Sequence, residues 1–180
     1  MLARVVAALK RNWVNIRVIT TFLGLIIGFF FILTWEPIVG RIDIGAGMAK
    51  LAAWMSYGLL KVLGLGMGFD VHRIGTIMGS GEFEVDVAPA CSGAVPTSIY
   101  LSAVLAYPSN WRAKGIGAAL GIGAIHLVNL VRVSGLFLIG LYFREVFHET
   151  HVYVAQALVV CVAVALWLYW ATRFADAPLR

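Results

Sequence analysis

Three side chains in this sequence could together perform covalent chemistry: the thiol of Cys91, the guanidinium of Arg132 and the imidazole of His151. A thiol with a histidine at hand is the minimum apparatus of a cysteine nucleophile, the imidazole taking the proton and later returning it to a leaving amine. Cys91 stands in Val87-Ala88-Pro89-Ala90-Cys91-Ser92-Gly93, shortly before Pro96. Proline is tolerated only in a first helical turn, so a helix starts around Gly93 to Val95 with unpaired amides just after the thiol. Such a terminus favours a thiolate, and the same N–H groups suit an oxyanion. Arg132 follows Asn129 in Asn129-Leu130-Val131-Arg132, and His148 lies three residues before His151 as a second imidazole.

The elements that carry these residues are membrane elements. Of 180 residues, 61% are apolar and only 13% charged, with a mean hydropathy of +0.90. Ordinary aqueous domains carry about 25% charged residues, so disorder, secreted disulfide scaffolds and soluble α/β enzymes are excluded. The net charge of +5 is dispersed between apolar runs, which argues against nucleic acid as a partner. Apolar, helix-compatible segments run over residues 18–35, 94–107, 115–142 and 151–172. The second is short against the ~20 residues of a span, so it begins nearer Cys91 or tilts little. Residues 46–66 are apolar but carry Lys50 and Lys61. Residues 69–90 are polar, and residues 82–87, EFEVDV, alternate with the two-residue period of a strand. With VHRIGTIM before it and Gly79-Ser80-Gly81 between, this stretch resembles a β-hairpin.

Charge sets the orientation, because basic residues are retained in cytoplasmic loops. Arg4, Lys10, Arg11 and Arg17, then Arg112 and Lys114, then Arg173 and Arg180 mark three inside segments. Placing the first two on one side requires an even number of crossings between them, so residues 46–66 lie along or dip into the outer leaflet. Glu36, Asp43, Asp70, Glu82, Glu84, Asp86, Glu145 and Glu149 then face outward, and Asp176 is the only acid inside. The expected fold is an all-α polytopic membrane protein with about four spanning helices, an interfacial or partly inserted helix and a short extracytoplasmic β-hairpin. Residues 1–180 form one membrane-embedded domain, with 1–17 a basic cytoplasmic N-terminus and 67–90 an extracytoplasmic loop. Both termini are cytoplasmic in the inner membrane. Arg132 lies 17 residues beyond Gly115, about 26 Å up from the inner face. Cys91, Arg132 and His151 thus reach the same depth, near the outer boundary, from three helices.

Each feature also has a plainer reading. A free cysteine is often a small apolar filler, the histidines suit an interface, and an arginine near a span's end can snorkel to the headgroups. His126, Asn129 and Arg132, three apart, could line a transport or scrambling path, although only Gln156 offers a polar partner on the last helix. His148-Glu149-Thr150-His151 is not the H-E-x-x-H of zinc proteases, so no metal or cofactor is called for. Cys161 lies mid-helix, cannot reach Cys91 and reads as packing. Gly115-x-Gly117-x-x-x-Gly121-x-Gly123 lacks the lysine of a phosphate loop and reads as small-residue helix packing. Trp167, Tyr169 and Trp170 read as an interfacial belt.

Taken together, Ala90-Cys91-Ser92-Gly93 after a polar outer segment, Asn129-x-x-Arg132 on the next long helix and a histidine opening the helix after it resemble the exosortase/archaeosortase family. The resemblance covers roughly residues 46–160. It implies a multi-pass cysteine protease or transpeptidase with catalytic Cys91, Arg132 and His151, cleaving C-terminal hydrophobic sorting signals of exported proteins through a thioester at the outer boundary. His151, followed four residues later by Ala155, matches the family's histidine better than His148. Ser92, Gly93, Asn129 and His148 are the supporting candidates. The implied partners are exported proteins with a hydrophobic tail and sorting motif, the lipid bilayer, and water or a lipid or glycan amine as acceptor. Many relatives have about eight spans, so the resemblance implies a compact variant. Ala94-Val95-Pro96 stand where a bulky and then a basic residue are common.

Overall fold

The computed structural model describes residues 2–35, 40, 43–64, 71–81 and 83–175, with side chains from residue 12 onward. Helix α1, Leu2–Thr34, joins the basic N-terminal stretch to the first apolar run without a break. Its portion Asn12–Thr34 is long and apolar enough to cross a membrane. Helix α2, Ile44–Leu63, starts at Asp43, whose carboxylate accepts from the Ala46 amide at 2.7 Å. It ends at Gly64 in the left-handed region, φ 61°, with the Gly64 N–H returning to the carbonyls of Leu60 and Lys61. Ala49, Ala52, Ala53, Ser56 and Leu60 form its buried stripe, at the spacing of one helix face. That stripe packs α2 closely against the long helix over Trp111–Tyr142.

The polar segment differs from the expected hairpin. It is a three-stranded antiparallel meander of β1 (His72–Ile74), β2 (Ile77–Ser80) and β3 (Phe83–Asp86), in the order β1-β2-β3. The chain turns at Gly75 as well as at Gly81, both with positive φ. Gly79 and Ser80, read from the sequence as turn, lie in β2. The reason is local: Gly79 leaves room for the His72 ring of β1, whose Nε2 would lie 2.6 Å from any Cβ there. Met78, Phe83 and Val87 are buried in one cluster with Leu60, Val133 and Phe137, so the sheet rests on the helices through one face. Residues 67–70 and Glu82, like Glu36, Asp176 and Arg180, lie outside the described residues.

Pro89–Cys91 form a 3-10 turn, and α3, Ala94–Ala106, follows with Gly93 as its N-cap. Helix α4, Trp111–Tyr142, begins four residues before the apolar run, because Asn110 caps it by accepting from the Ala113 amide at 2.7 Å. A 3-10 turn, Arg144–Val146, a short α turn, Phe147–Glu149, and a π-helical stretch, Thr150–Val154, then lead into α5, Ala155–Arg173. Among the described residues, three helical segments are long and apolar enough to span: Asn12–Thr34, Trp111–Tyr142 and Arg144–Arg173. The fourth expected crossing, α3, has 13 residues, or about 20 Å of helix against a hydrocarbon core of about 30 Å. It does not extend back through Cys91, because Gly93 breaks the helix there. Helix α2 carries Lys50 and Lys61 and is not among the spanning segments. The chain is a polytopic, mostly helical membrane protein with a small open sheet.

Away from the sheet, α3, α4 and α5 are tied by polar and aromatic contacts. Lys114 Nζ donates to the Leu105 carbonyl at 2.6 Å, satisfying the C-terminal end of α3. Trp170 Nε1 donates to the Ala113 carbonyl at 2.7 Å, and Tyr107 meets the rings of Trp167 and Trp170 edge-on. Trp170 is therefore no belt residue: it is fully buried, at 0% exposure. Cys161 likewise departs from its reading as packing, since it is exposed on the outside of α5.

The glycine pattern of α4 resolves into two roles. Any Cβ at Gly121 would overlap the Tyr100 ring, and one at Gly117 would lie 2.5 Å from Trp170 Nε1, whereas Gly115 and Gly123 face open space. Gly117 and Gly121, one turn apart, are the contact that lets α3 and α5 approach α4. Gly121→Val is expected to cost about 1–3 kcal/mol through overpacking. Thermal midpoints in detergent should fall for this variant and stay near wild type for Gly123→Val.

Candidate active site

Cys91, Arg132 and His151 converge beside the sheet. Arg132 Nη2 donates to Cys91 Sγ at 3.7 Å, and His151 Nε2 lies 4.0 Å from the same sulfur. The three come from the turn before α3, from α4 and from the π-helical stretch before α5. A small cavity of about 30 Å³ opens onto the pair, lined by Val85, Asp86, Val87, Cys91, Phe147 and His151 among others.

The turn that holds the thiol is fixed by its own backbone. The Cys91 amide donates to the Ala88 carbonyl at 2.8 Å and the Ser92 amide to that of Pro89 at 3.1 Å. Ser92 Oγ donates to the Pro89 carbonyl at 2.6 Å and accepts from the Ala94 amide at 3.2 Å. These bonds correct the expectation of free amides after the thiol for Ser92 and Ala94, whose N–H groups are both engaged. Gly93 takes φ +86°, and a Cβ there would lie 3.2 Å from His126 Nδ1 and 3.4 Å from Asn129 Cγ. Only glycine combines that left-handed backbone with so close an approach of α4.

From α4, Asn129 Nδ2 donates to the Cys91 carbonyl at 3.0 Å, and its Oδ1 accepts from Arg132 Nη1 at 3.3 Å. Asn129 thus grips the turn and orients the guanidinium together. Asn129 and Arg132 are buried, at 1% and 7% exposure. Arg132 Nε has no hydrogen-bond partner among the described residues, where the ion pair present is His72 with Glu84 at 3.6 Å. Arg132 is therefore a buried cation aimed at a sulfur, with no carboxylate among the described residues to neutralise it, so it does not snorkel. A buried charge of this kind is costly unless an anion meets it.

The two histidines separate. His151 is half-buried and stacks on Phe147, ring centroids 6.0 Å apart and planes 16° from parallel. His148 is exposed. In a regular helix, residues three apart share a face. Here the π-helical stretch Thr150–Val154 changes the phase as His151 is reached, the kind of irregularity that recurs at functional sites. His126, three residues before Asn129, packs with it against Gly93. Gln156 is exposed and faces none of these groups.

The fold and site define a polytopic membrane protein with a thiol held between an imidazole and a guanidinium. The family model of the transmembrane exosortases matches residues 15–171 of the 180, and the chain belongs to that family, a family of cysteine transpeptidases linked to protein sorting in membranes. The match is wider than the stretch that carried the resemblance in the sequence. No curated protein and no solved structure matches the chain.

Proposed function

We propose that this protein is a membrane-embedded cysteine peptidase or transpeptidase that cuts the C-terminal hydrophobic sorting signals of exported proteins at the outer membrane boundary. The observation that carries the reading is the convergence on Cys91 Sγ of His151 at 4.0 Å and Arg132 at 3.7 Å. A substrate tail diffusing in the bilayer presents the peptide bond just outside its hydrophobic stretch, so the membrane itself supplies proximity. Cys91 loses its proton to His151, and the sulfur attacks the carbonyl carbon. The carbon–nitrogen bond then breaks as the leaving amine takes the proton from His151, and a thioester remains. Arg132 serves the anion twice, first beside the thiolate and then beside the oxyanion, since the amides of Cys91, Ser92 and Ala94 are already engaged. Water releases a cleaved protein, and an amine on a lipid or glycan takes it over. In this reading the N-terminus, Arg112, Lys114 and Arg173 are cytoplasmic, and the sheet and site face outward.

The test is a comparison, in the native host, of exported-protein C-termini with the wild-type enzyme and with Cys91→Ala, by mass spectrometry of membrane and medium fractions. Proteins that keep hydrophobic tails only in the variant support the proposal and give the cut site. Identical C-termini despite normal expression overturn it.

Arg132→Lys tests how the cation works. One guanidinium branch reaches the sulfur and the other reaches Asn129, and an ammonium cannot hold both directions. The variant is expected to lose about 10²–10³ in kcat, the scale of one oxyanion donor, while Cys91 still alkylates. Retention of activity within about threefold would mean that charge alone suffices.

A further inference from the structure

His126 is a polar group beside the site that this mechanism leaves unused. It lies 15 residues after Trp111 and 16 before Tyr142, at the midpoint of α4, so it stands near the bilayer centre whichever way the helix points. No hydrogen bond to it occurs among the described residues. A polar ring at that depth is costly and normally faces a partner or a cavity rather than lipid. His126 does face a cavity, of about 230 Å³, between α2 and α4, walled by Met48, Met55 and Leu130 and sharing Ser92 and Asn129 with the Cys91 turn. The cavity reaches the nucleophile's own support: Asn129 holds the Cys91 carbonyl, and Gly93 lies against His126.

We infer that this cavity is a subsite for one side chain of the substrate's hydrophobic tail, on the membrane side of the cut bond, with His126 reading a hydrogen-bonding group such as a hydroxyl or amide on that side chain. The inference rests on the proposed function. The direction follows from depth: His126 is six residues nearer the middle of α4 than Arg132, about 9 Å along the helix, so only residues that follow the cut bond into the bilayer reach it. The ligand class follows from the walls. They are apolar except at Ser92, His126 and Asn129, matching an apolar stem with one polar end. Two methionines allow several stem shapes.

The test uses the full chain in membranes with a reporter domain joined to a single hydrophobic tail. In the first two turns of the tail, each residue is changed in turn between serine or asparagine and leucine. With the wild-type enzyme, one position is expected to prefer the polar residue by about tenfold, the scale of one buried hydrogen bond, carried in KM. His126→Leu should reduce that preference to under about twofold, and His126→Gln should keep most of it. A photo-crosslinker placed at Leu51, which also lines the cavity, should capture the tail at the same position, with or without Cys91. No positional preference, a preference that survives His126→Leu, or no capture of the tail would overturn the subsite. Capture by a Cys91→Ala protein that still cleaves would overturn the peptidase reading and leave the tail-binding cavity standing.

Discussion

Cys91→Ala is expected to insert and fold as the wild type does and to lose cleavage by at least about 10⁴-fold, the scale seen when a covalent nucleophile is removed. The contacts that hold the turn are backbone contacts, which alanine keeps: the Cys91 amide to Ala88 and the Cys91 carbonyl to Asn129. Only the sulfur is lost, so a fall in activity without a fall in thermal midpoint isolates the chemistry. A reporter with a hydrophobic tail, followed by gel shift and mass spectrometry, measures it. Activity within tenfold of wild type would remove the thiol from the mechanism, and a transport or scrambling role for the α4 polar face would then have to be tested.

His151→Ala carries the second largest effect, a loss of about 10²–10⁴ in kcat, the range of a positioned acid–base group. His148→Ala should stay within about threefold, because His148 is exposed and surface substitutions away from a site seldom matter. Nucleophile and base act as a unit, so the Cys91→Ala, His151→Ala double variant should be no slower than Cys91→Ala alone. A larger loss at His148 than at His151 would reverse the assignment of the base. Equal small losses at both would mean that the proton leaves Cys91 by another route.

Hydropathy and charge already fixed much of the architecture, because burying or exposing a lysine or a run of valines in a bilayer is a choice of several kcal/mol that each segment makes alone. Helices α4 and α5 therefore stand within a few residues of their apolar runs, with Asn110 capping α4 four residues early, whereas α1 continues back through the basic stretch before its run. The meander was less legible. Gly79-Ser80-Gly81 looks like a turn by composition, yet the His72 ring takes the space a side chain at Gly79 would need and so draws that glycine into β2. The Trp170 reading failed for a related reason: an aromatic near a helix end suits an interface by type, and only the neighbouring helix, with a glycine at 117 to admit the ring, buries it.

The site divides along the same line. The sequence by itself determined that a thiol, a guanidinium and an imidazole reach one depth, because helix rise converts residue number into height. It could not determine the rotation of each helix about its axis, which depends on packing between segments far apart in the chain. Tertiary structure decided that Asn129 turns to the Cys91 carbonyl, that Arg132 points to the sulfur, and that the π-helical stretch at 150–154 brings His151 to Cys91 while His148 stays exposed. It also engaged the Ser92 and Ala94 amides that sequence alone left free, since whether an N–H is available depends on which acceptor a short turn happens to face.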